Sequence, residues 1–189
     1  MKIITLKKTI MLEQLMGLIK DHSQDAIVNN PAIPNEHNND AMQTILGAIT
    51  GGMQQQAQSG QGGMAGLAGL LGGQSGTSGG SLMSNPIVAG IAQQAITGLM
   101  TKFGIGNGAA SGIVSQVLPG VMGSMISKTN DPQDSSFNMS DIMGVMSDGK
   151  VDMNDIMKIA GKFMGNGGQQ QQQSGGGLGG LLGGLFGGK

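Results

Sequence analysis

The sequence predicts an all-α protein: a small helical bundle with a Gly-rich disordered linker and a Gly/Leu-rich C-terminal tail. Three observations carry this. Apolar residues recur at helical spacing in several stretches. Pro, Asn and Gly punctuate those stretches at their ends. Glycine, 37 of 189 residues, gathers in two tracts, Gly51–Gly80 and Gly165–Lys189. These tracts take about fifty residues out of any core, because glycine loses the most entropy on ordering and has no side chain to bury. What remains is three helical stretches of about forty, forty-five and thirty residues, each near the lower size limit for independent folding. They are expected to pack on one another or to self-associate.

Met11 to about Asn29 places Leu12, Leu15, Met16, Ile19 and Ala26 on one helical face, with Glu13, Gln14, Lys20 and Asp21 elsewhere. Met11 begins this helix, so residues 1–10 are read as an N-terminal extension. Asn29-Asn30-Pro31 stops it, since proline disfavours helical geometry in the residue before it. Pro34-Asn35 restarts a helix, with Asn35 as N-cap and Glu36 in the first turn. Ala41, Met42, Ile45, Ala48 and Ile49 form its apolar face, and Gly51-Gly52 is expected to end it, giving an N-terminal helix pair over 11–50. Residues 51–84 read as a Gly/Gln/Ser linker whose one apolar patch, Met64–Leu71, has helical spacing.

A helical core is expected over 85–165. Ser84 or Asn85 caps its first helix and Pro86 sits in the first turn, where its missing N–H costs nothing. Val88, Ile91, Ala92, Ala95, Ile96, Leu99 and Phe103 form a broad stripe. Gly104–Gly108 is a turn. The next helix repeats an apolar pair every fourth residue, from Ile113/Val114 to Met125/Ile126, with Pro119 as an expected kink. These two helices make a hairpin over 85–128. A helix-turn-helix follows over 138–165: Ser140 caps the first helix, Asp148-Gly149 turns, and Asp152 with Asp155 forms a capping box for Met153–Met164. Residues 166–189 are the Gln/Gly/Leu-rich tail, expected to be disordered alone in water.

Composition excludes several functions. The formal net charge is −1, all ten basic residues are Lys, and no charged side chain lies between Asp40 and Lys102. Nucleic-acid binding needs a basic face and stacking aromatics, and the chain has no Trp, Tyr or Arg. Zero cysteine removes disulfides and thiolate metal sites and fits a reducing compartment. Met1–Ile10 carries an apolar run only over Ile3–Leu6, too short for a secretory signal, so a cytoplasmic protein is expected. Phe103–Ser127 is long, uncharged and fairly apolar, but it contains Asn107, Gln116, Pro119 and several Ser. It reads as a core helix more readily than a membrane span.

One short pattern occurs twice: Asp21-His22-Ser23-Gln24-Asp25 and Glu36-His37-Asn38-Asn39-Asp40. In each, the His and the later Asp share a helical face. Brought together across the Pro31 turn, the two faces would offer N and O ligands to a divalent cation. Helix-end chemistry accounts for the same residues, since acids suit a first turn and His22 borders the apolar stripe. No metal or cofactor is assigned, nor any catalytic residue, because nothing supplies a nucleophile or pocket. Asp148–Asp155 matches the rear half of a calcium-binding EF-hand loop, but Gly144 and Met146 stand where its first carboxylates belong. The tail places Leu178, Leu181, Leu182, Leu185 and Phe186 on one helical face with glycine between them. Its nine glycines cost about 9 kcal/mol in a helix, and burying the five apolar side chains returns about 7–15 kcal/mol, so order depends on an apolar surface to bind.

Several stretches together resemble the DUF937 family of uncharacterised bacterial proteins, related to YidB. They are Met11-Leu12-Glu13-Gln14-Leu15-Met16, Asn29-Asn30-Pro31-Ala32-Ile33-Pro34-Asn35-Glu36, the Leu118-Pro119 helix ending in Ser127-Lys128-Thr129-Asn130-Asp131-Pro132, and Phe137-Asn138-Met139-Ser140-Asp141-Ile142. The Leu-Gly-Gly-Leu-Leu tail adds to them, and the chain looks similar to longer members from Bacteroidetes-type bacteria. The resemblance implies a YidB-like all-helical fold and no assigned activity. The expected function is therefore a non-enzymatic helical interaction or scaffold protein that self-associates or holds a protein partner through its tail. The alternative is a membrane-surface or envelope-associated protein acting through its Gly/Leu tracts.

Overall fold

No residue between Lys2 and Asp21 forbids helical geometry, and α1 (Lys2–Asp21) occupies all of it. The computed structural model describes residues 2–60, 63–74, 76, 78–134, 137–140 and 142. All regular structure among them is helical. The helix therefore begins at Lys2 and not at Met11, and residues 2–10 are its first half. The helix also ends earlier than Pro31 requires. Ser23 turns its hydroxyl back onto the Ile19 carbonyl, and a single π-helical turn, Gln24–Val28, follows.

A 3-10 turn, Asn35–His37, leads into α2 (Asn38–Gln58). Asn35 does not cap the backbone; its Oδ1 accepts from Asn38 Nδ2 at 3.2 Å. Gly51-Gly52 does not end α2 either. A Cβ on Gly52 would lie 2.5 Å from Ile91 Cγ1, so this glycine is a contact surface for a neighbouring helix. The Gln-rich stretch beyond it keeps good helix formers in place to Gln58. The linker expected over 51–84 therefore contains the end of α2 and two further helices, α3 (Gly63–Leu71) and α4 (Gly79–Ser84). Leu67, Leu70, Leu71 and Leu82 are buried, and that burial outweighs the glycine content.

α5 (Pro86–Phe103) starts as its local chemistry dictates: Asn85 Oδ1 accepts from the Ile87 amide at 2.9 Å and Pro86 fills the first position. It ends at Gly104, whose φ of 65° is the left-handed cap that glycine adopts without strain. α6 (Asn107–Thr129) buries its apolar pairs from Ile113/Val114 to Met125/Ile126 and continues past Pro119. Beyond it, Phe137 and Ile142 are buried. The amide of Ser140 donates to Asn138 Oδ1, so the cap there is Asn138 and not Ser140. The rest of the expected helix-turn-helix, the EF-hand-like stretch and the tail lie outside the described residues.

α1 packs on α2 and α6, and α5 packs on α6 and α2, closing a ring of four long helices round one apolar core. The two halves of this ring are copies of each other. Buried Asn38, Ala41, Met42, Ile45, Leu46, Ile49 and Met53 of α2 correspond at one constant offset to buried Ala110, Ile113, Val114, Val117, Leu118, Val121 and Met125 of α6. Leu12, Leu15, Met16, Ile19 and Ser23 correspond in the same way to Val88, Ile91, Ala92, Ala95 and Leu99. Ile33-Pro34-Asn35 matches Ile105-Gly106-Asn107 just before each second helix. The longer connector of the first half absorbs the difference in spacing.

Candidate functional site

The repeat gives the bundle two equivalent seams, α2 against α5 and α1 against α6, and the sequence closes only one of them. In the α2/α5 seam, Gly52 lies against Ile91, and a Cβ on Gly98 would stand 2.8 Å from Thr44 Cγ2. Without side chains at these glycines the helices meet closely. Gln94 Nε2 then bridges the rim by donating to Gln55 Oε1 at 2.7 Å.

In the α1/α6 seam the position of Gly98 is taken by His22 and that of Gly52 by Ser124. Their side chains join by a hydrogen bond, Nε2 to Oγ, at 2.9 Å. The imidazole lies over Gly120, where a Cβ would be 2.6 Å from Nδ1. An aromatic side chain thus stands where the sister seam has only hydrogen atoms. The positions of Gln94 and Gln55 are Leu18 and Ser127, which cannot bridge. The seam opens as a cleft of about 600 Å³ lined by Leu18, Pro119, Gly123, Ser124, Ser127 and Lys128, with Gly79 of α4 at its edge. Lys128 is held by Asp134 at 2.8 Å. The cleft offers a small-residue floor, hydroxyls and a paired ammonium, and one of those hydroxyls, on Ser124, is held by His22.

The second His faces other neighbours. His37 lies 3.7 Å from Glu36 and 3.8 Å from Asp40, and Lys102 reaches Asp40 at 3.7 Å. The Phe103 ring sits 6.1 Å from the His37 ring, with the Lys102 ammonium 5.7 Å from its centroid. All the charged groups here are at least 44% exposed, so the cluster ties the 3-10 turn to the end of α5 only weakly. Beside it, Asn38 Oδ1 is buried without a hydrogen-bond partner. The two acid–His–acid pentads are not brought together across the Pro31 turn. Among the described residues no three His, Asp or Glu side chains gather as a cation site.

The His22–Ser124 contact was not legible locally, because it joins residues 102 positions apart. The repeat is the signal that reveals it: aligning the halves sets His22 against Gly98 and Ser124 against Gly52, a swap of large for small in both members of a helix pair.

Comparison with curated proteins gives no match, and comparison with solved structures gives none. A family model described as a bacterial protein of unknown function matches residues 13–88 and again 85–189. The two stretches meet where α5 begins, at the join between the halves. With nearly the whole chain covered by this one model, the protein belongs to the DUF937 family of bacterial proteins.

Proposed function

We propose that this protein is a non-enzymatic interaction protein of the bacterial cytoplasm, which self-associates or holds a protein partner through apolar contacts. One observation carries the reading. Leu6 and Ile10, one turn apart on α1, are 62% and 41% exposed, the large apolar side chains left in solvent among the described residues. A protein of low charge density that leaves such a pair open has a weakly adhesive face and little repulsion to oppose contact. The apolar stripe of the tail supplies a second adhesive element.

The cleft chemistry favours binding over catalysis. A serine nucleophile needs a base oriented by a third group, and donors aimed at the developing oxyanion. The His22 Nδ1 faces the α6 backbone. Ser124 sits within α6, where the surrounding amides are committed to the helical ladder.

Sedimentation velocity over a wide concentration range tests the proposal. The parent should gain apparent mass with concentration, and Leu6→Ser/Ile10→Ser should gain less. Identical profiles would refute it. The membrane-surface reading is favoured by Lys2, Lys7 and Lys8, which lie before and between the exposed pair in the sequence, a basic and apolar mixture that suits an interfacial helix. α6 is also long and apolar enough to span a bilayer, but half of its apolar window is buried in the bundle. Flotation of the parent with anionic vesicles, lost in the double Ser variant, would move the membrane reading ahead.

A further inference from the structure

Repetition brings a hazard of its own. The two halves carry the same kind of apolar face, so by hydrophobicity alone α1 suits α2 of a second copy as well as α6 of its own chain. Pairing of like halves would leave the other half of each chain free to take a further copy, and assembly of that kind has no closure. The seams guard against it with three glycines.

Each of these glycines makes a close contact, and each has a larger residue as its counterpart. A Cβ on Gly52 would lie 2.5 Å from Ile91 Cγ1, and the counterpart of Gly52 is Ser124. A Cβ on Gly98 would lie 2.8 Å from Thr44 Cγ2, and the counterpart of Gly98 is His22. A Cβ on Gly120 would lie 2.6 Å from His22 Nδ1, and the counterpart of Gly120 is the buried Ala48.

Pairing two first halves sets α1 of one copy against α2 of the other. In the geometry of the α2/α5 seam, His22 takes the place of Gly98 and meets Thr44, where there is no room even for a methyl. In the geometry of the α1/α6 seam, the imidazole falls on the Cβ of Ala48, and Gly52 stands where Ser124 accepts or gives its hydrogen bond. Pairing two second halves sets α5 against α6. In the first geometry the Cβ of Ser124 falls on Ile91. In the second, Gly98 faces Gly120, and the space of the imidazole is left empty. Packed interiors are destabilised by overlap and by gaps alike.

We infer that the two seams act as a pairing code: α2 accepts α5, α6 accepts α1, and each half rejects a second copy of itself. Specificity of this kind is the difference between matched and mismatched contacts. The chain therefore closes on its own other half, and copies meet only through surfaces outside the seams. The inference rests on the repeat and is independent of the function proposed above.

The test uses the full-length chain, which has no native cysteine to interfere. Gln94 and Gln55 bridge the α2/α5 seam, and Leu18 is the counterpart of Gln94, so in a pair of first halves Leu18 of one copy faces Gln55 of the other. Leu18→Cys/Gln55→Cys is placed in the parent and in His22→Gly/Gly120→Ala/Ser124→Gly, which rewrites the second seam as the first. Both proteins are refolded from urea at high concentration and treated with a short bis-maleimide. The rewritten chain should give cross-linked dimers in several-fold excess over the parent, and equal yields would overturn the code. Association through Leu6 and Ile10 does not bring these positions together, so failure here leaves the adhesive face untouched. A double-mutant cycle reads the code without the rewritten chain. Gly120→Ala should raise Tm by several degrees more in His22→Ala than in the parent, because the added methyl no longer meets the ring. The same shift in both backgrounds would refute the inference.

Discussion

At the residue scale, glycine has opposite meanings at positions that look alike in the sequence. Gly52 is packed against Ile91, whereas Gly90, on the exposed side of α5, would meet nothing within 4 Å if it carried a Cβ. Gly90→Ala should raise stability by about 0.5–1 kcal/mol through helix propensity. Gly52→Ala should lower it by about 1–3 kcal/mol, because the buried Ile91 must shift out of a tight seam. Thermal melts of the two variants should therefore move in opposite directions from the parent. Asn38 offers a third test. Its Oδ1 is buried without a partner, while the equivalent residue in the second half is Ala110. Asn38→Ala should stabilise by about 1 kcal/mol, since removing the orphaned amide outweighs losing its bond to Asn35. Urea unfolding that shows a lower midpoint would contradict this.

At the element scale, helices were legible wherever local chemistry and tertiary packing agree. The Asn85 cap, the Pro86 start and the Gly104 turn all act within a few residues of themselves, so α5 and the start of α6 could be read directly. The end of α2 could not. A glycine pair at a helix end and one inside a helix–helix contact have the same sequence, and only Ile91 distinguishes them. α3 was visible as spacing at Met64–Leu71 but masked by its glycines, whose cost is met by burial that no local rule reports. The cleft was illegible for the same reason: His22 and Ser124 come from α1 and α6, and neither stretch names the other. The apolar pairs of α6 were plain, and they carry a prediction. Leu118 is fully buried, and Leu118→Asp would place an unpaired charge in the core. The purified variant should lose cooperative unfolding and most of its helical circular dichroism signal at 25 °C. Parent-like melting would show that α6 is not central to the core.

At the scale of the whole molecule, low charge and two apolar segments set the solution behaviour. Deleting Gly175–Lys189 should reduce concentration-dependent association while leaving the melting temperature of the bundle within a few degrees of the parent. Leu181, Leu182 and Leu185 changed together to Ser should act like the deletion, because the length is kept and the stripe is lost. Sedimentation equilibrium checks both, and parent-like masses for both would place the adhesive surface elsewhere.

The ring of contacts has a further consequence for how such a chain is put together. Each first helix leans on the second helix of the other half, so neither half covers its own apolar faces. The molecule is in effect a dimer fused into one polypeptide, with α3, α4 and the chain between them as the fusion joint. Supplied as two separate polypeptides cut between Gly76 and Ser78, the halves should each be poorly helical and should fold on mixing, with a midpoint that rises with concentration. A half that melts cooperatively on its own would mean that the repeat unit is a domain. Failing that, the unit that folds is the two halves together, and neither half is a domain by itself.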